Sequence, residues 1–443
     1  MKTIFKYIIL GLFVLPFFTL SSCKKDINDI NKDNPNEFND SDPKLMITGA
    51  ELANVMINEG EVARLAGIFA GHFSGYDRQY ISYGQYNMTA GDFNSPWPTI
   101  YTEGIAQCRL IKAKAITAKD LPLEAVANIT EANLLITASS LWGDIPNTEA
   151  CNTAYTAPKF DKMADIYTYC IGLLDSAIAK VGTSSAYRAA YDGTFKWKEV
   201  AFTLKARALL HKKDYANAII AATTGISSGN DFFANHQTES PGAWNLYYDF
   251  LDWNRGGYMS CDGSYIVSLL DSTSTSYKGN SKTNEAARFD YYFLLDNYTP
   301  IDPNMYTGVF TATSNFALAS YVENEMILAE SYWRTADYTK ALDHLNLVRA
   351  SHDATWGGYA PYVAGDFADN NALLKEILVE KYVSLFGQVE AFNDVRRTKN
   401  VIGVPPYAGT TLPGRFLYPQ SEINSNPNTP KGFGLMDAVD LFK

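Results

Sequence analysis

The sequence predicts a mainly α-helical protein in which helical hairpins stack into an α-α superhelical scaffold, interrupted by long loop-rich insertions and few short strands. Two observations carry that prediction. From Glu325 to Ala350, EMILAESYWRTADYTKALDHLNLVRA sets Ala329, Tyr332, Ala341, Leu345 and Val348 at three- and four-residue steps, and a polar turn between Arg334 and Tyr338 divides the run into two amphipathic helices. The spacing recurs from Trp197 to Gly225: Ala206 and Ala218 repeat the twelve-residue separation of Ala329 and Ala341, and Tyr215 precedes Ala218 as Tyr338 precedes Ala341. Small residues let the helices approach while Tyr332, Tyr338 and Leu345 fill the gap, the logic of a TPR-like (tetratricopeptide-like) hairpin. One such hairpin cannot bury its own apolar face, so several must stack.

Composition narrows the function classes. The 443 residues are 47% hydrophobic and 19% charged, which is a folded protein and not a disordered one. A net charge of -11 gives no basic stripe to displace counterions, so nucleic acid is not an expected partner. The excess is in rings, 29 Tyr, 24 Phe and 7 Trp, whose rigid faces serve either a core or a stacked ligand.

At the N-terminus, Lys2 and Lys6 precede an apolar run from Tyr7 to Leu20 that is interrupted by Pro16 and too short for a permanent span. Residues 1–22 therefore read as a signal peptide. Leu20-Ser21-Ser22-Cys23 looks like a bacterial lipobox, with Cys23 as the lipidated first residue of the mature chain and several acyl chains as its membrane anchor. Residues 23–43, rich in Asn, Asp and Pro, read as the tether, and their acidic residues lack the glycine and terminal glutamate of a calcium loop. Residues 44–443 are expected to form a single domain, with hairpins near 123–181, 197–225 and 321–350.

Within that domain, Leu45 to Ala70 has one helical period closed by Gly71. Gly71 to Tyr101 turns aromatic among glycines and prolines. Tyr76, Tyr80 and Tyr83 fit either a buried helical stripe or a ligand surface, and with Arg78, Asn94 and Trp97 they are the first candidate binding residues. Glu103 to Lys119, Leu123 to Trp142 and Asp161 to Val181 continue as helices. A second aromatic loop, Asp231 to Tyr265, contributes Trp253 and Tyr258. Ser268 to Asn284 is polar and expected to be exposed, and short strands are expected within Tyr291 to Phe310 or Ser264 to Leu270. Trp356 to Tyr362 is a third candidate loop, with Trp356 and Tyr359. Asn371 to Gly387 and Val389 to Lys399 close the helical part, and their Glu376, Glu380, Glu390, Asp394, Arg396 and Arg397 read as structural ion pairs.

Catalysis has little support. Gly225-Ile226-Ser227-Ser228-Gly229 matches G-x-S-x-G, but a helix precedes it where a nucleophile elbow needs a strand, and Gly225 reads as a helix C-cap. No P-loop or HExxH is present, and the five histidines lack metal-ligand spacing, so no catalytic residue, metal or cofactor is assigned. Cys108, Cys151, Cys170 and Cys261 could pair in any of three ways or remain as thiols.

Several stretches in order resemble the SusD/RagB family of outer-membrane nutrient-binding lipoproteins, and its second large branch in particular. They are Cys23 with DINDINKDNPN, LWGDIPNTEA at 141–150, FKWKEVAFTLKARALLHKKDYANAI from Phe195, ENEMILAESYWRTADYTKALDHLNLVRA from Glu323, EILVEKYVSLFGQ and EAFNDVRRTKN from Glu376, and FLYPQSEINSNPN from Phe416. The resemblance implies a predominantly helical fold, a lipid-anchored place on the outer membrane facing outward, and an oligosaccharide or peptide ligand. It also implies a SusC-like TonB-dependent transporter as partner. Starch-binding members set aromatic residues after the first long helix, here broadly Tyr76 to Trp97. The competing expectations are a surface hydrolase using the same cleft and a TPR adaptor with no small ligand.

Overall fold

The computed structural model describes residues 41–238 and 241–443. The signal peptide, Cys23 and the tether up to residue 40 lie outside the described residues. The chain is mainly helical, as expected. Helix α1 (Pro43–Glu59) is separated from α2 (Glu61–Phe69) at Gly60, so the single period expected over 45–70 is two helices. A Cβ at Gly60 would lie 2.3 Å from the Met56 carbonyl oxygen, which fixes the break there. Helix α3 (Gln79–Gly84) follows, and a π-turn (Thr99–Ile105) leads into α4 (Ala106–Ala118).

Helix α5 (Leu121–Trp142) is buried on every side from Leu123 to Trp142, so it is an interior helix with no solvent stripe. Asp120 caps it, accepting the Leu123 N–H at 3.1 Å, and Pro122 sits in the first turn where its missing N–H leaves no bond unmade. It packs on α4 and on α6 (Met163–Lys180). Next come α7 (Trp197–His211) with α8 (Tyr215–Ala222), then two short helices, α9 (Tyr265–Leu270) and α10 (Ala286–Tyr292). A second hairpin pairs α11 (Tyr321–Arg334) with α12 (Tyr338–Trp356); α13 (Asn370–Ser384), α14 (Val389–Arg397) and α15 (Gln420–Ser425) complete the set.

The repeated alanines do what their spacing requires. Ala206 and Ala218 are fully buried against Ile327 and Leu328 of α11, and Ala329 and Ala341 are buried with Leu345 and Ile377, so α8 stacks on α11 and α11 on α13. Among the described residues, nine short strands stitch the insertions. The pairs are β1 (Ser74–Gly75) with β6 (Met259–Ser260), β2 (Ile145–Pro146) with β3 (Phe160–Asp161), and β7 (Phe293–Leu295) with β8 (Ile301–Pro303). A three-stranded sheet is formed by β4 (Tyr191–Asp192), β5 (Phe232–Ala234) and β9 (Phe316–Ala319). Strands thus lie within Tyr291 to Phe310, whereas Ser264 to Leu270 is helical, with Ser264 as the N-cap of α9.

Ser268 to Asn284 is largely exposed or half-buried, as expected, but single side chains in it and in the loop after α12 are buried. Lys278 is buried between Glu285 at 2.8 Å and Glu380 at 2.7 Å, because burying a lysine requires carboxylates on hand. In the loop after α12, Tyr359 donates from its hydroxyl to Glu285 at 2.6 Å and Arg349 stacks 3.6 Å from the Tyr362 ring. The four cysteines described are all free thiols, with Cys108, Cys170 and Cys261 buried and Cys151 exposed.

Candidate functional site

The β1–β6 pairing joins two loops nearly two hundred residues apart in sequence, with Ser74 opposite Ser260 and Gly75 opposite Met259. Tyr76 N–H and Asp77 N–H then donate to the Tyr258 carbonyl at 2.9 and 3.2 Å. Gly75 is required at the crossing: a Cβ there would lie 1.5 Å from the Tyr80 carbonyl oxygen. Facing this junction, Asn245 caps a helical turn by accepting the Tyr247 and Tyr248 N–H groups, and the turn runs on as a π-helix over Asp249–Asn254. A π-turn adds a residue per turn and re-aims the side chains beyond it.

Asp252 stands at the centre of what results. Tyr298, from the turn joining β7 and β8, donates its hydroxyl to Asp252 Oδ1 at 3.0 Å, and Tyr306, beyond β8, donates to the same oxygen at 2.8 Å. Partial burial, and then the Asp252 carboxylate, push the Tyr248, Tyr298 and Tyr306 hydroxyls up from their ordinary range, so all three are protonated donors at neutral pH. Trp253 is 62% exposed, and Trp244 meets both it and Tyr248 edge to face, at 5.4 and 5.3 Å between ring centroids. Tyr298 and Tyr306 are each nearly half exposed. An edge-to-face contact covers a face of just one ring of the pair, and the exposure of Trp253, Tyr298 and Tyr306 leaves ring surface open beside a carboxylate that accepts hydrogen bonds.

A cavity of about 420 Å³ opens next to this platform, between α1, α2 and the π-turn, with Glu61, Arg64, Thr99, Asp249, Asn254 and Arg255 supplying polar groups. Arg64 lies over the Phe250 ring at 4.2 Å, which holds its guanidinium flat against the wall.

The residues expected from sequence divide into groups. Tyr80 is buried beneath the platform, 5.1 Å from Phe250 and 6.2 Å from half-buried Tyr258, with Tyr83 beside it. Tyr80 therefore supports the surface and offers no open face. Tyr83 donates to Asp92 at 3.1 Å. Tyr76 is 46% exposed, and exposed Arg78 pairs with its neighbour Asp77 at 3.4 Å. Asn94 and Trp97 turn instead to α15: Asn94 accepts the Ser421 N–H at 3.0 Å, and Trp97, only 8% exposed, donates to Glu422 at 3.1 Å. The edge of Trp97 lines a second cavity of about 520 Å³ with Tyr101, Tyr155 and Cys151. Half-buried Trp356 carries Arg288 over its ring at 5.1 Å, and Tyr359 is 2% exposed. Both belong to the packing around α12. Sequence reading passed over Asp252, Tyr298 and Tyr306, which no local spacing links; the one available clue was a run of tyrosines around the turn at Pro300.

Ser227 of the G-x-S-x-G stretch is held by Glu199, which accepts both its hydroxyl at 2.9 Å and its N–H at 3.1 Å. The helix before it, α8, ends at Ala222 with Thr223 as its C-cap, so Gly225 is not the cap; it is glycine because a Cβ would sit 2.0 Å from Asn324 Oδ1 and 2.5 Å from Thr203 Oγ1. Among the described residues no group of three or more His, Cys, Asp or Glu is placed to hold a metal.

Comparison with known proteins agrees with this architecture. The family model SusD-like_2, described as "Starch-binding associating with outer membrane", matches residues 35–239. No curated protein matches the chain. Among solved structures, a SusD/RagB family protein of Bacteroides thetaiotaomicron superposes with a TM-score of 0.66 at 19% identity, covering 88% of this chain and 95% of that one. A chitin-binding protein gives 0.62 at 20% identity over 88% and 95%, and a SusD homolog of Bacteroides uniformis gives 0.71 at 14% identity over 91% and 100%. The chain therefore has the SusD/RagB fold, and its residues 35–239 match the SusD-like_2 model, in line with the resemblance read from its motifs.

Proposed function

We propose that this chain is a nutrient-binding lipoprotein of the outer-membrane surface, anchored through Cys23, that captures an oligosaccharide or peptide and passes it to a SusC-like TonB-dependent transporter. The observation that carries the reading is the ring platform at Asp252. Exposed Trp253, Tyr298 and Tyr306 give flat apolar faces, and the Asp252 carboxylate and the Tyr hydroxyls give hydrogen bonds at their edge, the combination a neutral polyhydroxylated ligand needs. The chitin-binding neighbour and the starch-binding description of the matching family favour a saccharide.

The test is a binding screen of the purified chain against a glycan array and a peptide mixture, followed by calorimetry on the best ligand. Trp253→Ala is expected to weaken binding by roughly 1–3 kcal/mol, the value of a stacked ring, with no change in melting temperature. The matched Trp97→Ala removes a buried ring and is expected to lose stability, roughly 3–5 kcal/mol. Equal affinity of wild type and Trp253→Ala would remove the platform as the site. Prolonged incubation that released product would favour the hydrolase reading.

A further inference from the structure

We propose that the cavity at the end of α14 is a second binding site, for a carboxylate ligand of monosaccharide size such as a uronate. Its volume is about 440 Å³, and Arg396, Lys399, Asn400, Thr410, Thr411 and Phe442 are among the residues that line it. No carboxylate side chain lines it. The cavities beside Asp252 and Trp97 do carry acids, Glu61 and Asp249 in one and Glu422 in the other. In a chain of net charge -11, a cavity walled by two cations and no acid has a sign opposite to its surroundings.

Arg396 is 9% exposed, and its three hydrogen bonds go to uncharged acceptors: the Phe392 carbonyl at 3.3 Å, the Gly414 carbonyl at 3.0 Å, and the Asn393 side-chain oxygen. Its neighbour Arg397 pairs instead with Glu330 and Asp394. The Arg396 guanidinium is clamped between Phe392 at 4.0 Å and Phe442 at 5.0 Å from the ring centroids, so its plane is fixed. A guanidinium has five N–H donors and three are used, which leaves donors for a bidentate carboxylate. Burial brings the group down from its ordinary value to about 9, with Arg415 adding to the fall against Tyr167 and Glu390, as befits a cation short of counter-charge. Lys399 gives one of its three N–H donors to the Phe442 carbonyl at 2.6 Å. The cavity exceeds the share of a bare inorganic ion, and its Leu412, Pro413 and Phe442 walls match the apolar face of a sugar ring.

Both cations also lie at the C-terminal end of α14, where positive charge complements the helix dipole without any ligand. Calorimetry on the full chain in detergent at low ionic strength separates the two roles, with sodium glucuronate as probe, glucose as neutral control and sodium sulfate as competitor. Saturable glucuronate binding, weakened at least tenfold in Lys399→Gln while any binding of glucose is left unchanged by that substitution, is the expected result. Sulfate that displaces glucuronate at equal concentration also supports the site, and names a free oxyanion as its occupant. Arg396→Lys tests the bidentate contact if it folds; Lys399→Gln, an exposed substitution, and Thr411→Val carry the test if it does not. Trp253→Ala is expected to leave glucuronate binding unchanged, which keeps this outcome separate from that of the ring platform. Lack of glucuronate binding, or wild-type affinity in Lys399→Gln, overturns the proposal.

Discussion

Glu51 is a buried carboxyl in α1 whose Oε2 accepts the Ala190 N–H at 3.3 Å, with the Ala189 N–H also turned toward the carboxyl. Burial pushes it up to about 7 from 4.5. The folded state therefore holds this proton after the unfolded chain has lost it, so stability falls as pH rises from about 4.5 to about 7 and stays reduced above that. The loss is on the order of 3 kcal/mol. Glu51→Gln should match wild type near pH 4.5 and exceed it by roughly that amount at pH 7.5, measured by urea unfolding at each pH. A constant difference across the range would show that the carboxyl does not titrate there. The contrast between Glu51 and Trp253 also marks what single residues reveal in a sequence. Residue type says that a ring or a carboxyl is present; whether Trp253 faces water while Tyr80, Trp97 and Tyr359 do not depends on partners distant in the chain.

At the scale of elements, the hairpins are held in register by polar contacts as well as by alanines. Arg207 of α7 grips Glu323 of α11 with Nε at 2.6 Å and a second nitrogen at 2.7 Å, and adds the Leu318 carbonyl at 2.8 Å. Glu390 of α14 accepts from His211 at 2.9 Å, whose other ring nitrogen meets the Tyr167 hydroxyl of α6 at 2.9 Å. Four helices thus share one buried chain of charge. Removing a single partner leaves a desolvated charge, so Glu323→Ala should cost roughly 3–5 kcal/mol, while Arg207→Met with Glu323→Leu should recover much of it. A double variant no more stable than Glu323→Ala would count against this account. The hairpins were legible because their alanine spacing is local and repeats. The β1–β6 junction was not, since each strand is two residues long and its partner lies far away in sequence. The break at Gly60 was missed because apolar periodicity runs straight across it.

For the molecule as a whole, the buried charges set opposing pH dependences. Burial raises the Glu330 carboxyl, but Arg397, with Lys381 and Arg334, outweighs burial and holds it at about 2; Glu390, facing His211 and Arg207, and Glu380, facing Lys278 and Arg288, are likewise held well below 4.5. Their stabilisation is present above about 4.5 and is lost as pH falls toward 2. His72, fully buried against Tyr382, is lowered by burial to about 3, so its contribution is complete above 6.5 and is lost as pH falls toward 3. Between 4.5 and 6.5, His72 and Glu51 therefore act with opposite slopes of roughly 1.4 kcal/mol per pH unit each and largely cancel, and His352, lowered by burial, is set in the same way against Glu376, raised by burial. Below 4.5 the paired carboxylates and His72 act together, opposed by Asp231 and Asp302, which burial raises from 3.8. Unfolding free energy measured in half-unit steps is thus expected to stay nearly level from pH 6.5 to 5 and to fall steeply below 4.5. The Glu51→Gln chain should instead decline across the whole range, because the group that balances His72 is gone. A wild-type curve that slopes through the level region, or stays flat down to pH 3, would mean that these buried groups do not govern the stability of the stacked hairpins.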